Sequence, residues 1–269
     1  MKIVFFVILN CFSFCFLFSQ ERVVDSIKIS ELKEVVVTAT RTERNLASLP
    51  LPTSIITSEA ISKSGVSRLN EILFEQTGLL TIPDFGGVEG IQVQGLDATY
   101  TLILIDGVPL VGRSAGTLDL SRISVGNIER IEIVKGASSS LYGSEALAGV
   151  INIITKKPKQ DLFSGNLSYR YASFETNDVN TNLVWKKNKF SGSIFANYFN
   201  TNGYDLNEST PEKTVEPFYN ITIQPKLYYD FSDDLKLVVG TRYYNQKQEY
   251  KATIDDEKYD GNSIINEWN

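Results

Sequence analysis

Histidine is absent from all 269 residues. Its absence removes Ser-His-Asp and Cys-His catalysis, and histidine-ligated zinc or haem, from this stretch of chain. Cysteine is nearly absent: the two present, Cys11 and Cys15, lie inside an apolar N-terminal run, so a chain processed beyond that run has no disulfide framework. Stability must then come from a large core or from the surroundings. A basic stripe is missing as well. The net charge is −6, and nothing is in place to neutralise phosphates, which excludes nucleic acid as an expected partner.

What is present divides the chain into zones. Lys2 precedes a nearly unbroken apolar run over residues 3–18, too short for a comfortable membrane span and carrying the single basic flank of a secretory leader. Residues 1–19 are read as a cleaved signal peptide. A lipoprotein signal is disfavoured because bulky Phe14 precedes Cys15. Residues 20–44 are polar and charged apart from one cluster, in "KEVVVTATR" (33–41), a strand-forming run with no hairpin partner expected at short range. This zone reads as a flexible tether carrying one sticky segment.

Residues 45–157 read as a small domain of helices and strands. A helix is expected after Ser58 as N-cap, and a second from Val66 through Leu69, Ile72 and Leu73 to Gly78. Strands follow in "IQVQGL", in "TLILIDG" with Asp106-Gly107 as a turn signal, in "IERIEIVKG" and in "GVINIITKK".

From about Leu162 the pattern changes to alternating segments of roughly ten residues, the dyad signature of a membrane β-barrel. Leu167, Tyr169 and Tyr171 fall on one face, with Asn166, Ser168 and Arg170 on the other. The same parity sets Leu183 and Trp185 against Asn182 and Lys186, and Ile221, Ile223 and Leu227 against Thr222, Gln224 and Lys226. It sets Leu235, Leu237, Val239 and Tyr243 against Lys236, Gly240 and Arg242. Long charged side chains in mid-strand fit a polar lumen better than a soluble sandwich. Short turns are expected at residues 186–189 and 230–234, and long polar loops at 200–217 and 251–262. Short turns belong on the periplasmic side, so the first strand rises from the periplasm.

Two segments invite sharper chemistry. "KGASSSLYGSEALAG" lacks the lysine of a phosphate-binding loop and has no histidine to activate a serine, so enzyme activity is not expected and no cofactor is implied. The acidic run Asp255-Asp256-Glu257 with Asp260-Gly261 departs from EF-hand spacing and reads as a solvated loop, with no metal site.

Three stretches, in order, carry a resemblance. Residues 127–157, "NIERIEIVKGASSSLYGSEALAGVINIITKK", closely resemble the end of the plug domain of TonB-dependent outer-membrane receptors. "LILIDGVPL" (102–110) is similar to a second plug signature, and "KEVVVTATR" looks like the TonB box. Two positions depart: Gln94 stands where the family usually has an arginine that pairs with the barrel wall, and Ala137 where a proline is common.

The resemblance implies an α+β plug domain followed by the N-terminal antiparallel strands of a transmembrane β-barrel, which in this family has about 22 strands. It places the protein in the bacterial outer membrane, among lipid. It implies domains at 1–19 (signal peptide), 20–44 (tether with TonB box), 45–157 (plug) and 158–269 (start of the barrel). The partner would be the TonB energy-transducing complex, adding Glu34, Val35, Val36, Val37, Thr38 and Ala39 as a strand to an exposed sheet edge. The ligand would be a ferric siderophore or other iron chelate, haem or cobalamin. Plug loops that face outward in the family lie near residues 83–90, 96–100 and 111–116, where Asp84, Phe85, Asp97, Tyr100 and Arg113 offer charge or stacking. About five or six barrel strands are visible, and so few cannot close around a plug. The expectation is therefore a fragment of a longer receptor, or a non-transporting binding or adhesion product.

Overall fold

The computed structural model describes residues 35–36, 44–45, 52–83, 89–112, 117–136, 139–159, 163–207, 213–232, 235–254 and 257–269. The first described elements are β1 (Val35–Val36) and β2 (Arg44–Asn45), which pair antiparallel as a two-stranded ladder. The expected lack of a short-range partner for the 33–41 run is thus corrected. The chain folds back after β1 and satisfies its backbone groups on β2, apart from the larger sheets.

The next zone is built on a five-stranded mixed sheet. In chain order its parts are β3 (Thr53–Thr57), α1 (Ser58–Ser64), α2 (Leu69–Phe74), β4 (Leu79–Pro83), β5 (Glu89–Val93), β6 (Thr101–Ile105), β7 (Val108–Pro109), β8 (Ile128–Lys135), α3 (Ser139–Tyr142) and β9 (Gly149–Thr155). The sheet order is β3-β8-β9-β6-β7, with β6 and β9 parallel and the other pairs antiparallel, while β4 and β5 form a separate hairpin. One apolar core lies beneath it, with Leu69, Leu73, Ile131, Ile133 and Ile151 fully buried.

Both helix starts differ from the sequence expectation. The α1 N-cap is Thr57, whose Oγ1 accepts from the Ala60 amide at 3.2 Å, and the helix ends at Gly65 in the left-handed region, φ 69°. Helix α2 starts at Leu69 because residues 67–69 are already spoken for. Val125 N donates to Ser67 O, Leu69 N donates to Ile123 O, and Glu71 Oε2 accepts from the Ser67 and Arg68 amides at 2.7 and 3.1 Å. The helix stops at Phe74, with Glu75 as C-cap, rather than at Gly78.

The Asp106-Gly107 turn is as read. Both residues have positive φ, 49° and 84°, which the two-residue link between β6 and β7 requires.

The remaining strands form one antiparallel sheet: β10 (Phe163–Ala172), β11 (Thr176–Lys187), β12 (Phe190–Thr201), β13 (Phe218–Asp230), β14 (Lys236–Gly240), β15 (Tyr243–Ile254) and β16 (Glu257–Trp268). β14 and β15 continue one line along β13 and break at Thr241-Arg242, opposite Pro225. Thr241 N donates to Pro225 O at 3.2 Å, but proline has no N–H to return the bond. Pro225→Val is expected to fuse the two segments, slowing exchange of the Thr241 and Arg242 amides.

The period-two reading holds. Leu167, Tyr169, Ile194, Tyr198, Ile223, Leu227, Leu237 and Val239 point outward and are exposed, whereas Asp178, Ser193, Asn197, Thr222 and Gln224 point inward and are buried. Of the expected loops, the described residues 202–207 and 213–217 lie outside the named strands, but residues 251–254 and 257–262 belong to β15 and β16. There β15 and β16 pair from Tyr243↔Trp268 to Ile254↔Glu257. Backbone pairing carries the hairpin on through sequence that is acidic and polar beyond Ile254.

Candidate functional site

The inward face of a strand sheet is polar, and polar groups removed from water must find partners. Here they find them on the α+β domain. Arg68 is held just before α2, extended at φ −124° and ψ 152°, so its side chain leaves the domain toward the strands. Its Nη1 donates to Asn197 Oδ1 at 3.1 Å, its Nη2 lies 3.7 Å from the Asp178 carboxylate, and its guanidinium sits 4.2 Å above the Phe199 ring. Burial pulls the Arg68 pKa down against the opposing pull of Asp178. Asn197 Nδ2 in turn donates to Asp178 Oδ1 at 2.6 Å and to Asn180 Oδ1 at 2.9 Å.

Further along, Ser124 Oγ donates to Asn180 Oδ1 at 2.8 Å and Asn127 Nδ2 donates to Gln224 Oε1 at 3.1 Å. Asp106, in the β6–β7 turn, accepts from Thr155 N at 2.9 Å and Thr155 Oγ1 at 2.7 Å, and its other neighbour is the Lys226 ammonium on β13. A fourth group joins Arg122, Asp119, Glu267 and Arg242. Arg122 bonds Asp119 at 3.0 Å and Glu267 at 2.6 Å, while Arg242 Nη2 donates to Arg122 O at 3.1 Å. Tyr244, fully buried, lies under both guanidiniums, 5.9 and 5.2 Å from its ring centre.

Charge pairing between the domain and the strand wall is therefore present. Gln94 takes no part in it: it is exposed in a turn at φ 53°. Arg68, Asp106 and Arg122 carry the pairing instead. None of these was singled out as a functional residue from sequence. The usable signals were a lone arginine at the mouth of an apolar helix and charged residues at inward parity in mid-strand.

Of the residues expected to meet a ligand, Asp84, Phe85 and Arg113 lie outside the described residues. Asp97 and Tyr100 sit at either end of one turn between β5 and β6. The Asp97 carboxylate accepts from the Thr99 amide at 2.9 Å and the Thr99 hydroxyl at 2.8 Å, so it caps this turn, and Tyr100 is exposed. The Thr99 amide, then its hydroxyl, hold the Asp97 pKa below the ordinary carboxylate value. The sign follows: the cap is present above the usual carboxylate range and is lost as pH falls through the depressed pKa. Amide exchange at Thr99 is expected to accelerate, beyond its intrinsic pH trend, only in that acid window. Asp97→Asn should abolish this pH response.

For the segment expected to meet a transducer, Val35 and Val36 are in β1. Glu34, Val37, Thr38 and Ala39 lie outside the described residues. Among the described residues no metal-ligating cluster of acidic, cysteine or histidine side chains occurs.

A mixed-sheet domain seated by buried polar contacts on the inward face of outward-apolar antiparallel strands is a plug against a barrel wall. Residues 45–150 match the family model described as TonB-dependent Receptor Plug Domain. Among solved structures, the ferripyoverdine receptor of the outer membrane of Pseudomonas aeruginosa is similar at 19% identity and TM-score 0.66, over 81% of this chain and 28% of that one. The ferric enterobactin receptor PfeA of P. aeruginosa matches at 21% identity and TM-score 0.61, over 80% and 41%. The siderophore receptor PirA of Acinetobacter baumannii matches at 27% identity and TM-score 0.60, over 74% and 32%. The chain thus spans 28% to 41% of the length of these receptors. Residues 45–150 thus form a plug domain of the TonB-dependent outer-membrane receptor type, and the strands that follow form the first part of an incomplete barrel.

Proposed function

We propose that this chain is the plug and first wall of a transporter that carries an iron chelate, a ferric siderophore above all, across the outer membrane at the expense of TonB-transduced energy. The observation that carries it is the seating of the plug: buried polar bonds hold it against the inward face of the wall, with a strand-forming segment N-terminal to the edge strand β3. The domain scheme follows the sequence reading: leader 1–19, tether 20–44, plug 45–157, barrel from 158. The three similar receptors are named for siderophores, which supports an iron chelate. Haem and cobalamin remain the family's other cargoes, and the absence of histidine gives this stretch no imidazole for haem. The outward-facing ligand residues in this proposal are Asp84, Phe85, Asp97, Tyr100 and Arg113.

TonB would recruit Glu34, Val35, Val36, Val37, Thr38 and Ala39 by strand addition. Val35 and Val36 already pair with Asn45 and Arg44. Recruitment then exchanges one strand partner for another, and a two-residue ladder is marginal enough to give way. Single cysteines placed from Glu34 to Ala39 in a Cys11- and Cys15-free mature receptor test this. Cross-links to a cysteine-bearing TonB are expected at alternate positions, stronger when a transported chelate is present. No cross-link at any position overturns the box assignment.

A further inference from the structure

The plug segment between β7 and β8 meets the end of β16 both at its start and at its finish. At its start, Val111 N donates to Asn269 Oδ1 at 3.0 Å. Gly112 follows at φ 100°, and a methyl group on its Cα would fall 2.9 Å from Glu267 Cδ and Oε1. Only glycine provides both that conformation and that space. At its end, Arg122 donates to the same Glu267 carboxylate at 2.6 Å, with Arg242 3.9 Å from its other oxygen. Glu267 has a side chain 14% exposed, and Arg242 5%.

Between these two ends lies Thr117, buried, and it reaches the turn that carries Asp97 and Tyr100. A Cβ on Gly90 would meet Thr117 Cγ2 at 2.6 Å and Ala98 Cβ at 2.7 Å, so Gly90 is the common floor on which Thr117 and Ala98 pack. Gly90 lies opposite Ile82 in the β4–β5 hairpin, one step inside the last pair, Pro83↔Glu89. Three chain segments thus meet at one glycine, and Glu267 packs against the start of one of them at Gly112 and bonds its finish at Arg122.

We propose that Glu267 is a positioning residue for the ligand face: bonded to Arg122 and packed against Gly112, it steadies the stretch from Thr117 to Arg122 and, through the packing of Thr117 and Ala98 on Gly90, the turn bearing Asp97 and Tyr100. This rests on the reading of that turn as ligand-facing. Glu267 itself does not reach the turn. Its carboxylate neutralises two guanidiniums in a setting where an unpaired charge is costly, so its removal loosens the Arg122 end, where Asp119 is the remaining partner, and opens space beside Gly112. The wall thereby sets how firmly the ligand face is held.

Hydrogen exchange on the full-length receptor in membranes tests this role without ligand or TonB, so its outcome is independent of whether transport is observed. In Glu267→Ala, amides at Thr117 to Ile123 and Ala98 to Tyr100 are expected to exchange about tenfold faster, while Ile131–Val134 and Ile151–Ile153 stay unchanged. Glu267→Gln keeps an oxygen on Arg122 and the same shape against Gly112, and should restore most of the protection. Should Glu267→Ala fail to reach the membrane, Gly112→Ala, which expels the carboxylate by contact, should give the same local pattern. Wild-type exchange at these amides in the variants, or equal acceleration throughout the plug, overturns the proposal.

Discussion

Replacing Arg68 by alanine is expected to cost about 3–5 kcal/mol, the penalty for removing one partner of a buried ion pair. Arg68 and Asp178 have side chains 6% and 3% exposed, so Arg68→Ala leaves a carboxylate uncompensated at the seat of the plug. The Asn197 bond and the Phe199 contact go with it. The loss should appear as reduced exchange protection of Leu69, Ile72 and Leu73, because α2 is the element the arginine fastens. The double variant Arg68→Met with Asp178→Asn removes both charges and should return to within about 1 kcal/mol of wild type, since a buried pair replaced as a pair is often near neutral. Equal losses in the single and double variants would show that the charge pairing is not what matters here.

Gly149→Ala is expected to cost about 3 kcal/mol or more, at the upper end for overpacking. A Cβ at Gly149 would stand 2.5 Å from Val134 O, a backbone atom inside the β8–β9 ladder that cannot rotate away. Relief requires shifting one central strand against the other, in a sheet where Val134, Val150 and Ile151 are 0–1% exposed. Gly95 makes the contrast. It has φ 79° but open space around it, so Gly95→Ala should cost only about 1 kcal/mol of backbone strain. Chemical denaturation of the purified receptor, followed through plug exchange, separates the two.

Much of the architecture was legible because it rests on local grammar. β6, β8 and β9 are apolar runs closed by turn signals, and β10 to β14 alternate with the period that a two-faced wall imposes. The same parity told which side chains point inward. It did not tell what they touch. Asn180, Asn197, Gln224 and Glu267 are ordinary polar residues in sequence, and their partners lie 56 to 145 positions away. The helix starts were misplaced for the same reason: Arg68 is extended because it bridges to Ser124, a contact no local pattern contains. The β15–β16 hairpin escaped notice because the acidic run at residues 255–257 and Asp260-Gly261 read as a solvated loop. For β1, two residues of ladder are too few to leave a signature.

The most direct test of energised iron-chelate transport is uptake of radioactive iron by cells expressing the full-length receptor, offered as ferric enterobactin, ferripyoverdine and a wider panel of ferric chelates. Saturable uptake of at least one chelate is predicted, abolished by loss of TonB, by collapse of the proton gradient, or by Val36→Pro, which removes a backbone donor from the box. Uptake that persists without TonB, or a receptor present in the outer membrane that carries none of the chelates, would contradict it.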